Sequence, residues 1–113
     1  MYIQGDLSPR NEERVKHIVM WNVIGNSEDE KVASVAVVKS HFEGLRGIIP
    51  GMKHLEVGVD FSRVKYACDI VLYTEFESKE ALAAYATHPA HVKIRDELEG
   101  VRIARYQVDY VTE

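Results

Sequence analysis

The chain has one cysteine, three prolines, one tryptophan and no apolar run near the roughly 20 residues that a membrane-spanning helix needs. A single thiol, Cys68, cannot close a disulfide within the chain, which suits a reducing cytoplasm and leaves packing as its ordinary role. Lys and Arg number 14 against 18 Asp and Glu, for a net charge of −4. The basic residues form no run, whereas nucleic acids and anionic membranes need a concentrated basic face. Neither is an expected partner. The beginning, Met1 to Asp6, lacks the basic-then-apolar pattern of a secretory signal, and a cytoplasmic protein is expected. Gly44-Leu45-Arg46-Gly47 is too short for a phosphate loop and lacks the Lys-Ser/Thr that completes one. His88 and His91 have metal-ligand spacing, but no carboxylate or third histidine joins them. No metal and no cofactor is expected.

What is present is alternation. At 113 residues the chain is one domain, with residues 1–14 reading as a polar leader and 15–113 as the folded part. Val15 to Ile24 predicts a strand with large apolar groups on both faces. Ser27-Glu28-Asp29-Glu30 has the form of a capping box, opening a helix with Val32, Val35, Val38 and Phe42 on one side. Pro50-Gly51 turns the chain into a strand over 52–62, in which Leu55, Val57, Val59 and Phe61 alternate with polar residues. Residues 67–76 predict a third strand, Ser78 caps a second helix, and 101–111 form the last strand. The order β-α-β-β-α-β is that of an α+β, ferredoxin-like split βαβ fold: a four-stranded antiparallel sheet with helices on one face.

Helices can cover only one sheet face. On the other, Ile18, Met20, Val71, Tyr73, Val108 and Tyr110 would make an exposed apolar patch of a size unusual in a monomer. The expected partner is a second copy, the two sheets meeting face to face as a dimeric α/β barrel.

The segment Tyr85-Ala86-Thr87-His88-Pro89-Ala90-His91-Val92 carries the most chemistry. Proline breaks a helix but suits the first turn of a new one, so one helix ends near Thr87 or His88 and another starts at Pro89. The break can turn Tyr85 and His91 toward a common space. A phenol beside an imidazole can polarise a carbonyl and move a proton near neutral pH. The same two residues can also simply fill a helix–sheet junction, the phenol as core aromatic and the imidazole bonded to the sheet.

The residues then resemble a family. Val15-Lys16-His17-Ile18-Val19, Ile48-Ile49-Pro50-Gly51-Met52, Thr74-Glu75-Phe76-Glu77-Ser78, the His-Pro-Ala-His segment and Asp109-Tyr110, in that order, resemble the stress-responsive A/B barrel (Dabb) domain over residues 15–111. The resemblance implies a ferredoxin-like dimeric barrel. It leaves function open between a stress-type protein binding a small apolar or aromatic molecule, a structural dimer and a cofactor-free enzyme. Within the family, olivetolic acid cyclase closes a linear polyketide by aldol chemistry; by that likeness His91 would be the general base and Tyr85 would polarise the carbonyl. A cofactor-free monooxygenase of the wider barrel superfamily is a further alternative.

The likeness puts an acyl pocket near Trp21, Val38, Phe42, Ile70 and Leu72. Trp21 is bulkier than the leucine implied there and leaves less room for a long tail. His17 shares a strand face with Trp21 and could line the pocket with His91, or be a half-buried structural histidine. Asp109 could orient a histidine across the sheet or form a strand-end salt bridge. His91, at the start of a helix, is expected to be neutral because the positive end of the helix disfavours imidazolium. The candidates are therefore His91 and Tyr85 for catalysis, and His17, Trp21, Phe42, Ile70, Leu72 and Asp109 for binding.

Overall fold

The computed structural model describes residues 14–112. The predicted leader, apart from Arg14, and the final residue lie outside that range. The elements run β1 (Arg14–Val23), α1 (Glu28–Glu43), β2 (Met52–Val59), β3 (Ile70–Phe76), α2 (Lys79–Thr87), α3 (Pro89–Glu97) and β4 (Arg102–Thr112). The four strands make one antiparallel sheet in the order β2-β3-β1-β4, as a split βαβ fold requires.

Two-residue periodicity decides the layers. Val15, His17, Val19, Trp21 and Val23 face the helices and are buried, as are Ile70, Leu72, Thr74 and Phe76 on β3. Val35, Val38 and Phe42 of α1, Tyr85 of α2 and Ile94 of α3 close the core from above. The opposite face carries Ile18, Met20, Val71, Tyr106 and Val108, with Tyr106 and Val108 exposed. One end of that face is polar: Lys16 donates to the Tyr73 hydroxyl at 2.7 Å, and Arg14 reaches Glu75 at 2.9 Å.

The helix starts follow the sequence. Ser27 accepts from the Glu30 amide and Ser78 from the Ala81 amide. Glu30 reaches back as a capping box would, but to the Asn26 amide, one residue before the cap. Gly51, at φ +79, brings the α1–β2 turn against α2, where a Cβ would lie 2.6 Å from that of Ala81. No other residue fits both the dihedral and the space.

Three expectations change. The second strand stops at Val59, because the Asp60 carboxylate accepts from Ser62 and from the Arg63 amide and folds the chain into a turn. Phe61 is therefore not a strand residue and is 94% exposed. The third strand starts at Ile70 rather than 67; just before it, the Asp69 amide still donates to the Trp21 carbonyl while its carboxylate accepts from the Val23 amide, Lys31 and Arg63. Val32 faces solvent, and the buried line of α1 runs through Val35, Val38 and Phe42.

Candidate functional site

Between the helices and the β1–β4 half of the sheet lies a cavity of about 290 Å³. It is lined from the sheet by His17, Val19, Trp21 and Leu72, from the helices by Phe42, Tyr85, His91 and Arg95, and from β4 by Arg102 to Arg105. Six of the eight residues predicted for the site meet here. Ile70 and Asp109 do not line it: Ile70 lies in the closed core at 2% exposure, and Asp109 stands behind His17.

The helix break makes the centre of the site. His88 is the C-cap of α2 and the N-cap of α3, its Nδ1 accepting from the Ala90 amide at 3.0 Å, with Pro89 at the first position of α3. The turn brings the His91 ring back over Tyr85, with ring centroids 4.3 Å apart and planes tilted by 34°. His91 Nδ1 lies 3.2 Å from the Ala86 carbonyl oxygen. A carbonyl only accepts, so Nδ1 carries the proton and Nε2 keeps its lone pair. The imidazole pKa lies below its ordinary value, chiefly because burial disfavours the charged ring; the nearby Arg95 and Arg102 act in the same direction. Burial thus favours the neutral ring, the form expected from its place at the start of α3.

Tyr85 is 3% exposed, and its hydroxyl is the one buried side-chain nitrogen or oxygen among the described residues without a hydrogen-bond partner. Burial pushes its pKa well above that of a free phenol, so it stays a protonated donor. An unpaired buried hydroxyl costs about 1–3 kcal/mol, and proteins seldom leave one without a use.

His17 stands beneath Tyr85, with ring centroids 6.0 Å apart, and Phe76 lies beside both. Its Nδ1 donates to Asp109 Oδ1 at 2.6 Å, which fixes the ring and leaves Nε2 as the free nitrogen. Trp21 and Phe42 stack at 5.2 Å to form a flat wall.

Arg102 was not foreseen, although it covers that wall: its guanidinium carbon is 4.8 Å from the Trp21 ring centre and 5.6 Å from that of Phe42. Simple alternation along β4 puts Arg102 on the face opposite Asp109. A register shift at Asn22/Val23 pairs Val23 with Arg102 instead and turns the guanidinium inward.

The family model for the Stress responsive A/B Barrel Domain matches residues 15–112. The chain belongs to this family. A stress-response A/B barrel domain-containing protein of Arabidopsis thaliana, DABB1, is 44% identical over 43 residues, which span 38% of this chain and only 20% of that protein. A dimeric protein of unknown function and ferredoxin-like fold from Bacteroides fragilis superposes with a TM-score of 0.77 at 31% identity, covering 88% of this chain and 96% of the other. The hydroxynitrile lyase of Passiflora edulis has the same fold, with a TM-score of 0.74 over 90% of this chain and 95% of its own, at 16% identity. No helix of the described residues is long and apolar enough to cross a membrane.

Proposed function

We propose that this Dabb-domain protein binds a small apolar or aromatic carbonyl compound in the cavity between helices and sheet. The unpaired Tyr85 hydroxyl carries the reading. It is a protonated donor without a partner, held by ring contacts rather than by a bond of its own, and a ligand oxygen would satisfy it. The stacked Trp21 and Phe42 supply the apolar wall.

The working unit under this proposal is a homodimer joined through the open sheet face, where Ile18, Met20, Val71 and Val108 would be covered. The Bacteroides fragilis neighbour, itself dimeric, supports a dimer; the exposed apolar groups of the sheet favour this face for it. Native mass spectrometry of gently purified protein tests both parts. A dimer with a small non-protein mass on each chain supports the reading; a bare monomer contradicts it.

A second reading is favoured by the tautomer of His91. A neutral imidazole with Nε2 free, beside a phenol donor, is the pair needed to take a proton from carbon next to a carbonyl. The carbonyl oxygen would sit on the Tyr85 hydroxyl, the α-proton would pass to His91 Nε2, and the charge would collect on the enolate oxygen facing the donor. The enolate could then attack a second carbonyl, as in the aldol cyclisation of a polyketide. Hydrogen–deuterium exchange at the α-carbon of ethyl acetoacetate tests the first step. Exchange accelerated by the wild type and lost in His91→Ala supports it; exchange at the same rate with both proteins removes it.

A further inference from the structure

Three guanidiniums gather at one cavity in a chain whose net charge is −4. Arg102 is half-buried over the aromatic wall, while Arg95 of α3 and Arg105 of β4 flank it on the exposed side. Among the described residues, none of the three forms an ion pair with a carboxylate. The nearby acid on β4, Asp109, is already engaged. It accepts from His17 Nδ1 at 2.6 Å and from Gln107 Nε2 at 2.9 Å, and Arg105 donates to the Gln107 side chain rather than to the acid.

Like charges brought together without a counter-charge repel, and the repulsion is stronger where one of them is partly desolvated. Arg102 feels it: burial first, then Arg105 and Arg95, pull its pKa below the ordinary guanidinium value, though it remains charged. An anion at this point would relieve the repulsion and take up guanidinium donors in the planar geometry that carboxylates match.

We propose that the ligand is a carboxylate: a small molecule whose acid group is held by Arg102, with Arg95 and Arg105 at the mouth, and whose body lies beside Trp21 and Phe42. The proposal rests on the small-molecule reading given above and names its class. The cavity, at about 290 Å³, lies at the small end of ligand pockets, which favours a single ring or a short acyl chain over a long tail.

Trp21 is the only tryptophan in the chain and lies directly under Arg102, so its fluorescence reports on this site. Benzoate is the probe, benzamide its neutral counterpart, and phenyl phosphate a different anion. Benzoate should change the Trp21 emission saturably, with an affinity about tenfold or more above that of benzamide. The advantage should shrink as salt rises. Arg102→Gln should reduce benzoate to the affinity of benzamide. The exposed Arg105→Gln, which does not touch the core, should lower benzoate affinity in the same direction if Arg102→Gln fails to fold. Equal binding of benzoate and benzamide overturns the carboxylate assignment while leaving the pocket in place. Phenyl phosphate binding about tenfold tighter than benzoate overturns it in favour of a phosphate. No binding by any probe overturns it together with the reading on which it rests.

Discussion

The Tyr85 phenol and the His91 imidazole face one another at 4.3 Å across a helix break that His88 caps and Pro89 restarts. A continuous helix separates residues six apart by nearly 9 Å along its axis. The break is what lets a buried donor and a neutral base share one cavity.

The phenol hydroxyl has no structural bond to lose. Tyr85→Phe is therefore expected to keep the fold and raise stability by up to about 1 kcal/mol, because it removes an unsatisfied buried donor. Urea denaturation measures this. A loss of about 1 kcal/mol or more would mean that the hydroxyl is satisfied in the folded protein and is not held for a ligand.

The pH dependence has a definite sign. The folded pKa of His91 lies below the ordinary 6.5, so above 6.5 both folded and unfolded chains hold it neutral and it adds no slope. As pH falls below 6.5 the unfolded chain takes up the proton first. Stability then declines until the folded pKa is passed and both states are charged. His91→Gln is expected to flatten that part of the curve in denaturation series between pH 7 and 5. An unchanged slope would place the His91 pKa at its ordinary value.

Asp69 ties the start of β3 to the end of β1. Its carboxylate accepts from the Val23 amide at 2.9 Å and from Lys31 and Arg63 at 3.3 and 3.4 Å. Burial works to raise its pKa, but these donors outweigh it and hold the acid below its ordinary value. Asp69→Ala should cost about 1–3 kcal/mol, since the buried amide of Val23 loses its acceptor. The wild type should also lose this stabilisation as pH falls through the lowered folded pKa, and the variant should not. Equal melting temperatures for the two proteins at pH 7 would contradict the assignment.

The open sheet face supplies a test of assembly. Val108 is 49% exposed on that face, opposite Ile18 of β1. Val108→Glu should leave the subunit fold intact and weaken a dimer by roughly a hundredfold, because it would bury an unpaired carboxylate between the sheets. Sedimentation velocity across a concentration series reads the shift. An unaltered dimer would move the interface elsewhere.

Much of this architecture is legible from residue order. Apolar groups on both faces of β1, serine caps before two helices and proline after His88 each have a local physical meaning, and the described residues follow them. The misses have local causes too. Phe61 continues an apolar alternation, but the side chain of Asp60 captures the amide of Arg63 and ends the strand there. Arg102 reaches the cavity only through the register shift at Asn22/Val23, which alternation along one strand cannot reveal. That Asp109 can orient a histidine across the sheet is legible in the sequence; that the histidine is His17, 92 positions away, follows only from the pairing of β1 with β4.

The most direct test of the central claim is a titration of isotope-labelled protein with small carbonyl compounds, observed by NMR at the Trp21 indole and the His91 ring. The account predicts saturable shifts at both positions for at least one compound, with affinity reduced in Tyr85→Phe. Shifts confined to other parts of the surface, or equal affinity for the wild type and Tyr85→Phe, would contradict a ligand site built around the Tyr85 hydroxyl.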